Sequence, residues 1–166
     1  MTTTRIDRGS TATTTIYSDG GDLVFERTFD APRELVWNAF TDPDLIPRWW
    51  GPKGSTATVV EMDVRPGGKW RYISSAAGRD DVAFYGEYLE VTRPETIKWT
   101  FMFDVEGIGA QGGPETMTLE ETDGRTRVIA ISHMGSAEAI DGALATGVAA
   151  GAIETYDRLE ALLAEG

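Results

Sequence analysis

Residues 146–165, TGVAAGAIETYDRLEALLAE, read as one long amphipathic helix, and such a helix needs a surface against which to bury its stripe. Val148, Ala152, Tyr156, Leu159 and Leu163 recur at the spacing of one helix face, and Leu162 widens the stripe. Glu154, Asp157, Arg158, Glu160 and Glu165 fall off it and are expected to face water. Glu154 lies one helical turn before Arg158, the better orientation for a helix ion pair, which adds only about 0.2–0.5 kcal/mol. Packing must therefore hold this helix. The stripe is bulky in its last turns and small in its first, where glycine, alanine and one valine fill residues 147–152. A glycine inside a helix costs about 1 kcal/mol relative to alanine. Gly147 reads as a break between a short helix over 136–145 and the long one. Gly151 and Ala152 read as space kept for another backbone or for a ligand.

What precedes this helix alternates as strands do. Residues 1–10 are polar and read as loose, 11–17 as a candidate edge strand and 18–22 as a turn cluster. Residues 1–22 are accordingly expected as a flexible N-terminal segment and 23–166 as a single domain. Residues 23–29 read as the first firm strand. Asp30 then suits a helix cap, Pro32 its first turn, and Leu35, Val36, Ala39 and Phe40 its buried face. Asp42-Pro43 ends that helix and opens a shorter one closing at Arg48-Trp49-Trp50-Gly51-Pro52. From Ala57, Thr58, Val60, Met62 and Val64 alternate with Glu61, Asp63 and Arg65. After a turn at Pro66-Gly67-Gly68, Trp70, Tyr72 and Ser74 alternate with Lys69, Arg71 and Ile73. A loop over 76–81 leads to a strand over 82–91, in which Gly86 marks a bulge or a close approach. Ile97, Trp99, Phe101 and Phe103 give the clearest strand. Residues 104–114 are glycine-rich and are expected as a mobile loop, and 115–121 with 125–134 form a hairpin turned at Asp123-Gly124. The order predicts an α+β fold, with an antiparallel sheet bent around a helix.

Composition narrows the function. Fifteen basic against 27 acidic residues leave a net charge of −12, which repels phosphate backbones and anionic lipid, so neither nucleic acid nor membrane is an expected partner. With no cysteine there is no disulfide or thiolate chemistry, and with one histidine there is no histidine metal cluster. Gly68-Lys69 is followed by Trp70, so the P-loop pattern fails, and no cofactor is expected. Residues 1–22 hold no apolar run that suits a signal peptide, which leads to a cytoplasmic expectation.

The blocks FDAPRELVWNAFTDPDLIPRWWGP (29–52), VRPGGKWRY (64–72), YGEYLEV (85–91) and ETYDRLEALL (154–163) resemble the START-like, or SRPBCC, superfamily, and within it the branch named after the activator of the heat-shock protein 90 ATPase. The resemblance runs from about Leu23 to the C-terminus and carries no catalytic signature. It implies a helix-grip fold with an apolar cavity between sheet and long helix, and a lipid, polyketide, hormone or other small hydrophobic ligand; a few members are cyclases or hydrolases. Many relatives place a large aromatic where this chain has Ala152, which implies a roomier cavity here.

Alternation puts Trp70, Tyr72, Trp99, Phe101, Met117, Val128, Ala130, Ser132 and Met134 on the concave face, opposite Val148, Ala152 and Tyr156 of the helix. As a set they suit an apolar pocket with a few polar tips, and the plain alternative for each is ordinary core. Of Trp49 and Trp50, one suits a gate at the cavity mouth and at least one suits a plug for the end of the core. His133 points outward with Ile129 and Ile131, a pair that suits a homodimer contact unless the faces are reversed. The carboxylate pairs Glu61/Asp63, Asp80/Asp81 and Glu120/Glu121 read as solvated. The leading expectation is binding of a small hydrophobic or amphipathic molecule. Beside it stand an interaction module for a chaperone ATPase and a cyclase- or hydrolase-type enzyme. The enzyme has candidate polar groups in Tyr72, Ser132 and Tyr156 but no visible base.

Overall fold

The computed structural model describes residues 5–105 and 107–165, with the side chain of Val105 left aside. In chain order the elements are β1 (Arg5–Asp7), β2 (Thr15–Asp19), β3 (Asp22–Phe29), α1 (Arg33–Thr41), a single 3₁₀ turn (Ile46–Arg48), β4 (Thr56–Met62), β5 (Lys69–Ala76), β6 (Arg79–Thr92), β7 (Thr96–Val105), β8 (Gly109–Thr122), β9 (Arg125–His133), α2 (Ala137–Ala145) and α3 (Val148–Ala164). The strands form one antiparallel sheet in the order β1-β2-β3-β9-β8-β7-β6-β5-β4. From β4 to β9 each strand pairs with the next, and β9 closes back onto β3. This is the expected α+β helix-grip arrangement, with α3 against the inner face of the sheet.

Two apolar clusters fill the grip. One joins Phe29, Val36, Trp37, Phe40, Trp49, Trp50, Trp70, Tyr72, Trp99 and Met117 to Leu159 of α3; the other joins Ile16, Leu23, Phe25 and Ala130 to Ile140 of α2. Tyr156 packs against both. Ile16, in the segment expected as a flexible lead-in, is fully buried on β2, and Arg5–Asp7 pairs with that strand. Residues 1–4 lie outside the described residues.

Turn chemistry sets the register. Asp123 (φ 53°) and Gly124 (φ 77°) both occupy the left-handed region that a type I′ hairpin requires. Gly147 (φ 86°) breaks α2 from α3 as its sequence suggests. At Gly86 a Cβ would collide with the Thr100 carbonyl, so the close approach is real.

Several local expectations are corrected. Pro32, not Asp30, occupies the cap of α1, and the Arg33 amide donates to Glu121 Oε1 at 2.6 Å, so a carboxylate from β8 serves that helix end. Trp37 takes the buried place given to Leu35, which is exposed. In β4 a bulge between Val59 and Glu61 inserts a residue and inverts the alternation, so Val59, Met62 and Val64 pack on the core while Val60 is 60% exposed. The expected loop over 76–81 is a tight turn, with Ala76 pairing Arg79. The expected mobile loop over 104–114 is instead an extension of the β7–β8 ladder, which pairs Val105 with Gly109 and Phe101 with Gly113. Glu106, in that stretch, lies outside the described residues. Gly112 is required there because a Cβ would collide with the Phe101 carbonyl.

The polar side of α3 faces water at Asp157, Glu160 and Glu165, as expected, and still makes contacts. Arg27 on β3, with a side chain only 1% exposed, meets Asp157 at 2.7 Å and Glu160 at 3.3 Å. Arg158 does not pair with Glu154; its Nη1 donates to the carbonyls of Trp50 and Gly51, each at 3.0 Å. Glu154 accepts from the Lys53 amide at 3.0 Å. These contacts lock the helix to the segment that carries the two tryptophans.

Candidate functional site

The register of the central strands places three unlike side chains beside one another on the inner face. Trp99 on β7 pairs with Glu115 on β8, and Glu115 pairs with Ser132 on β9. Met117 and Leu119 on β8 are buried in the core, and strand alternation sends Glu115 to their side. Tyr156 of α3 faces the three from across the grip and is close enough for its phenol to feel the Glu115 charge. Phe101, two residues along β7 from Trp99, adds an apolar wall and stacks on Trp50 at 5.7 Å between ring centroids.

Glu115 is surrounded by protein yet keeps some solvent-accessible surface, as do Phe101, Ser132 and Tyr156. Burial pushes its carboxyl up to about 7, against the opposing pull of the Trp99 indole N–H and the Ser132 hydroxyl. The Ser132 hydroxyl donates to Glu115 Oε2 at a long 3.4 Å, and the Trp99 N–H faces the carboxylate outside hydrogen-bond geometry. The Tyr156 phenol is held above its ordinary range, first by burial and then by Glu115, with Arg27 opposing.

Deeper in the wall, polar atoms stand without protein partners. Trp70 Nε1, Trp99 Nε1 and the hydroxyls of Tyr72 and Tyr88 are all buried and unpaired. The two hydroxyls are neighbours that do not meet in hydrogen-bond geometry. Burial drives the Tyr72 phenol well upward and Tyr88 to about 12. Buried polar groups are nearly always satisfied, so four orphans in one aromatic wall are unusual.

The residues expected to line a cavity divide into two layers. Trp70, Tyr72, Trp99, Met117, Val128 and Ala130 are fully or almost fully buried and form the floor. Phe101, Ser132, Met134, Val148, Ala152 and Tyr156 are half-buried and stand between that floor and solvent. A Cβ added at Gly151 would meet nothing within 4 Å, whereas Val148, Ala149 and Ala152 pack against the cluster of Leu23, Phe25, Ala130 and Ile140. Trp49 does not join the set: it is buried against Phe40, and its Nε1 donates to the Ala39 carbonyl at 3.0 Å, which makes it the plug. Trp50 is the one that meets the inner wall, with Tyr72 at 4.9 Å and Trp70 at 5.9 Å. His133 is at the surface between Thr116 (3.0 Å) and Asp22 (3.1 Å).

Sequence reasoning missed Glu115, although its signal was present: it lies two residues before Met117 on the same face. It also missed Trp50 as the inner tryptophan, for which the sequence held no signal. Among the described residues no group of three His, Cys, Asp or Glu side chains is placed to hold a metal ion. Two grooves lie outside the grip. One of about 390 Å³ runs past Thr13, Glu26, Arg27 and Arg127; another of about 510 Å³ follows Phe29, Asp30 and Leu163 beside the end of α3. Among the described residues no helix is long and apolar enough to cross a membrane.

Comparison with known proteins agrees with this architecture. Residues 30–164 match the family described as Activator of Hsp90 ATPase homolog 1-like protein. The crystal structure of protein Ms6760 from Mycobacterium smegmatis is 30% identical, with a TM-score of 0.81 over 92% of this chain and 98% of that one. A crystal structure from Rhodobacter sphaeroides is 25% identical, with a TM-score of 0.81 over 93% and 99% of the two chains. A solution structure from Arthrobacter aurescens, 24% identical with a TM-score of 0.81 over 92% of each chain, shares the fold. No curated protein matches. The chain belongs to the START-like superfamily, in the branch of Activator of Hsp90 ATPase homolog 1-like proteins.

Proposed function

We propose that this protein binds a small hydrophobic or amphipathic molecule, of lipid, polyketide or aromatic type, between the inner face of its sheet and α3. The observation that carries the reading is the half-buried state of Phe101, Glu115, Ser132 and Tyr156, residues of the inner wall that are less completely covered than the floor beneath them. Their chemistry suits such a ligand: mostly apolar walls, with a carboxylate, a hydroxyl and a phenol to fix orientation. Burial of the ligand supplies affinity at about 25 cal/mol per Å² of apolar area. The contacts proposed for it are Phe101, Ser132, Met134, Val148, Ala152 and Tyr156, with Trp70, Tyr72, Trp99, Met117 and Ala130 as the floor beneath them.

The net charge of −12 supports a free small molecule over nucleic acid or an anionic bilayer, and a cytoplasmic setting goes with that reading. An enzymatic use of the same space gains from Glu115, the base beside Ser132 and Tyr156 that the sequence reading lacked. A panel of lipids, polyketides and aromatic compounds tests both readings by thermal shift and native mass spectrometry. Binding raises the unfolding temperature and adds the ligand mass, and turnover converts that mass. A panel in which no compound does either contradicts the proposal.

A further inference from the structure

Resting on that reading, we infer that Glu115 is the recognition group of the interior site and that the ligand it selects is an aromatic amine, which brings its positive charge to that carboxylate. Three observations converge. First, the carboxylate lacks a strong partner: the Ser132 hydroxyl at 3.4 Å is its one side-chain hydrogen bond among the described residues, and the Trp99 N–H faces it out of geometry. Second, no basic side chain of the described residues pairs with it. Arg27, the cation whose charge reaches Tyr156, is already held by Asp157 at 2.7 Å and Glu160 at 3.3 Å. An inward carboxylate in an aromatic wall with no protein cation lacks what an ammonium group supplies: a charge-assisted hydrogen bond, roughly twice as strong as a neutral one. Third, Phe101 and Tyr156, the half-buried rings of the same wall, are of the kind that attracts a cation and stacks on an aromatic body.

A carboxylate ligand is disfavoured on every count, since it sets like charge against Glu115. A neutral alcohol gains the apolar contacts without the ion pair. The raised carboxyl of Glu115 fits this arrangement, because a group that burial keeps partly protonated ionises fully when a cation comes to rest beside it.

The test is calorimetric titration of the full chain at pH ~8 with naphthylethylamine, naphthylethanol and naphthylacetate, three molecules of one aromatic body and different head groups. Wild-type protein is expected to bind the amine about tenfold or more tighter than the alcohol, with the acetate weakest. In Glu115→Gln the amine falls to the affinity of the alcohol, while the alcohol changes less than about threefold. An acetate or alcohol that matches the amine on wild-type protein overturns the inference, and so does a preference for the amine that survives in Glu115→Gln. Should Glu115→Gln fail to fold, the wild-type ranking alone decides. Binding of the alcohol without preference for the amine removes this inference and leaves the interior site standing; no binding by any of the three also overturns this inference, and the lipid and polyketide arms of the panel then decide the interior site.

Discussion

At the scale of single residues, Glu115 sets a carboxylate where the strand pattern expects an apolar side chain. Glu115 has an ordinary carboxyl value near 4.5 when exposed and about 7 in the folded protein, raised by burial. The folded state therefore holds its proton more tightly than the unfolded chain. Its contribution to stability is complete below pH ~4.5 and is lost as pH rises through ~7. Glu115→Gln, which has nothing to ionise, should match wild type at pH ~4.5 and exceed it by about 3 kcal/mol at pH ~8, read from denaturant unfolding at both values. A constant difference across that range contradicts the placement. Ala152 gives the second residue-scale prediction. Ala152→Trp adds bulk on the inner stripe of α3, and it should abolish binding of small aromatic ligands in calorimetry while the unfolding temperature stays within a few degrees of wild type.

Among the elements, α3 depends on polar contacts as well as on its stripe. Arg27 is buried and both its counter-charges come from α3, so Asp157→Asn together with Glu160→Gln leaves a buried cation uncompensated. Both carboxylates are more than half exposed, which reduces the effect, and a loss of about 2 kcal/mol is expected in denaturant unfolding. Arg158→Ala releases the carbonyls of Trp50 and Gly51 and should cost about 1–2 kcal/mol and broaden the Trp50 indole resonance. Here the sequence was legible where a single periodicity ran uninterrupted. The alternation of Trp70, Tyr72 and Ser74, that of Trp99 and Phe101, the Asp123-Gly124 turn and the helix break at Gly147 all stand in the structure. It was illegible where a local event reset the pattern. The bulge at Val59 in β4 inverts the faces without any composition signal. The glycines over 104–114 imply mobility by number, whereas in the paired strands Gly112 serves close backbone contact. The solvated face of α3 was legible, with Asp157, Glu160 and Glu165 exposed, but its contacts were hidden, because the partners of Arg158 and of Asp157 come from distant strands and loops.

Over the whole molecule, the sheet and α3 make a grip whose deep layer is fully buried and whose outer layer, Phe101, Met134, Val148, Ala152 and Tyr156, is half-buried and packed against it. Trp70, Tyr72 and Trp99 were readable from sequence as inward side chains, and the structure assigns them to the floor. The reachable layer above them, and Glu115 within it, follows from register across β7, β8 and β9, which no stretch of sequence spells out. The family shares the architecture, and a fold does not by itself fix a function, so the proposed specificity is assigned to side chains such as Glu115 and Ala152. The five tryptophans offer a direct readout, since one indole N–H, that of Trp99, is unpaired beside Glu115 and another, that of Trp49, is committed to the Ala39 carbonyl. In a nitrogen-15 correlation spectrum recorded while naphthylethylamine is added, the Trp99 indole signal should move progressively to saturation while the Trp49 signal stays in place. A Trp99 signal that remains still at saturating ligand, or shifts confined to residues on the outer face of the sheet, contradicts an interior site.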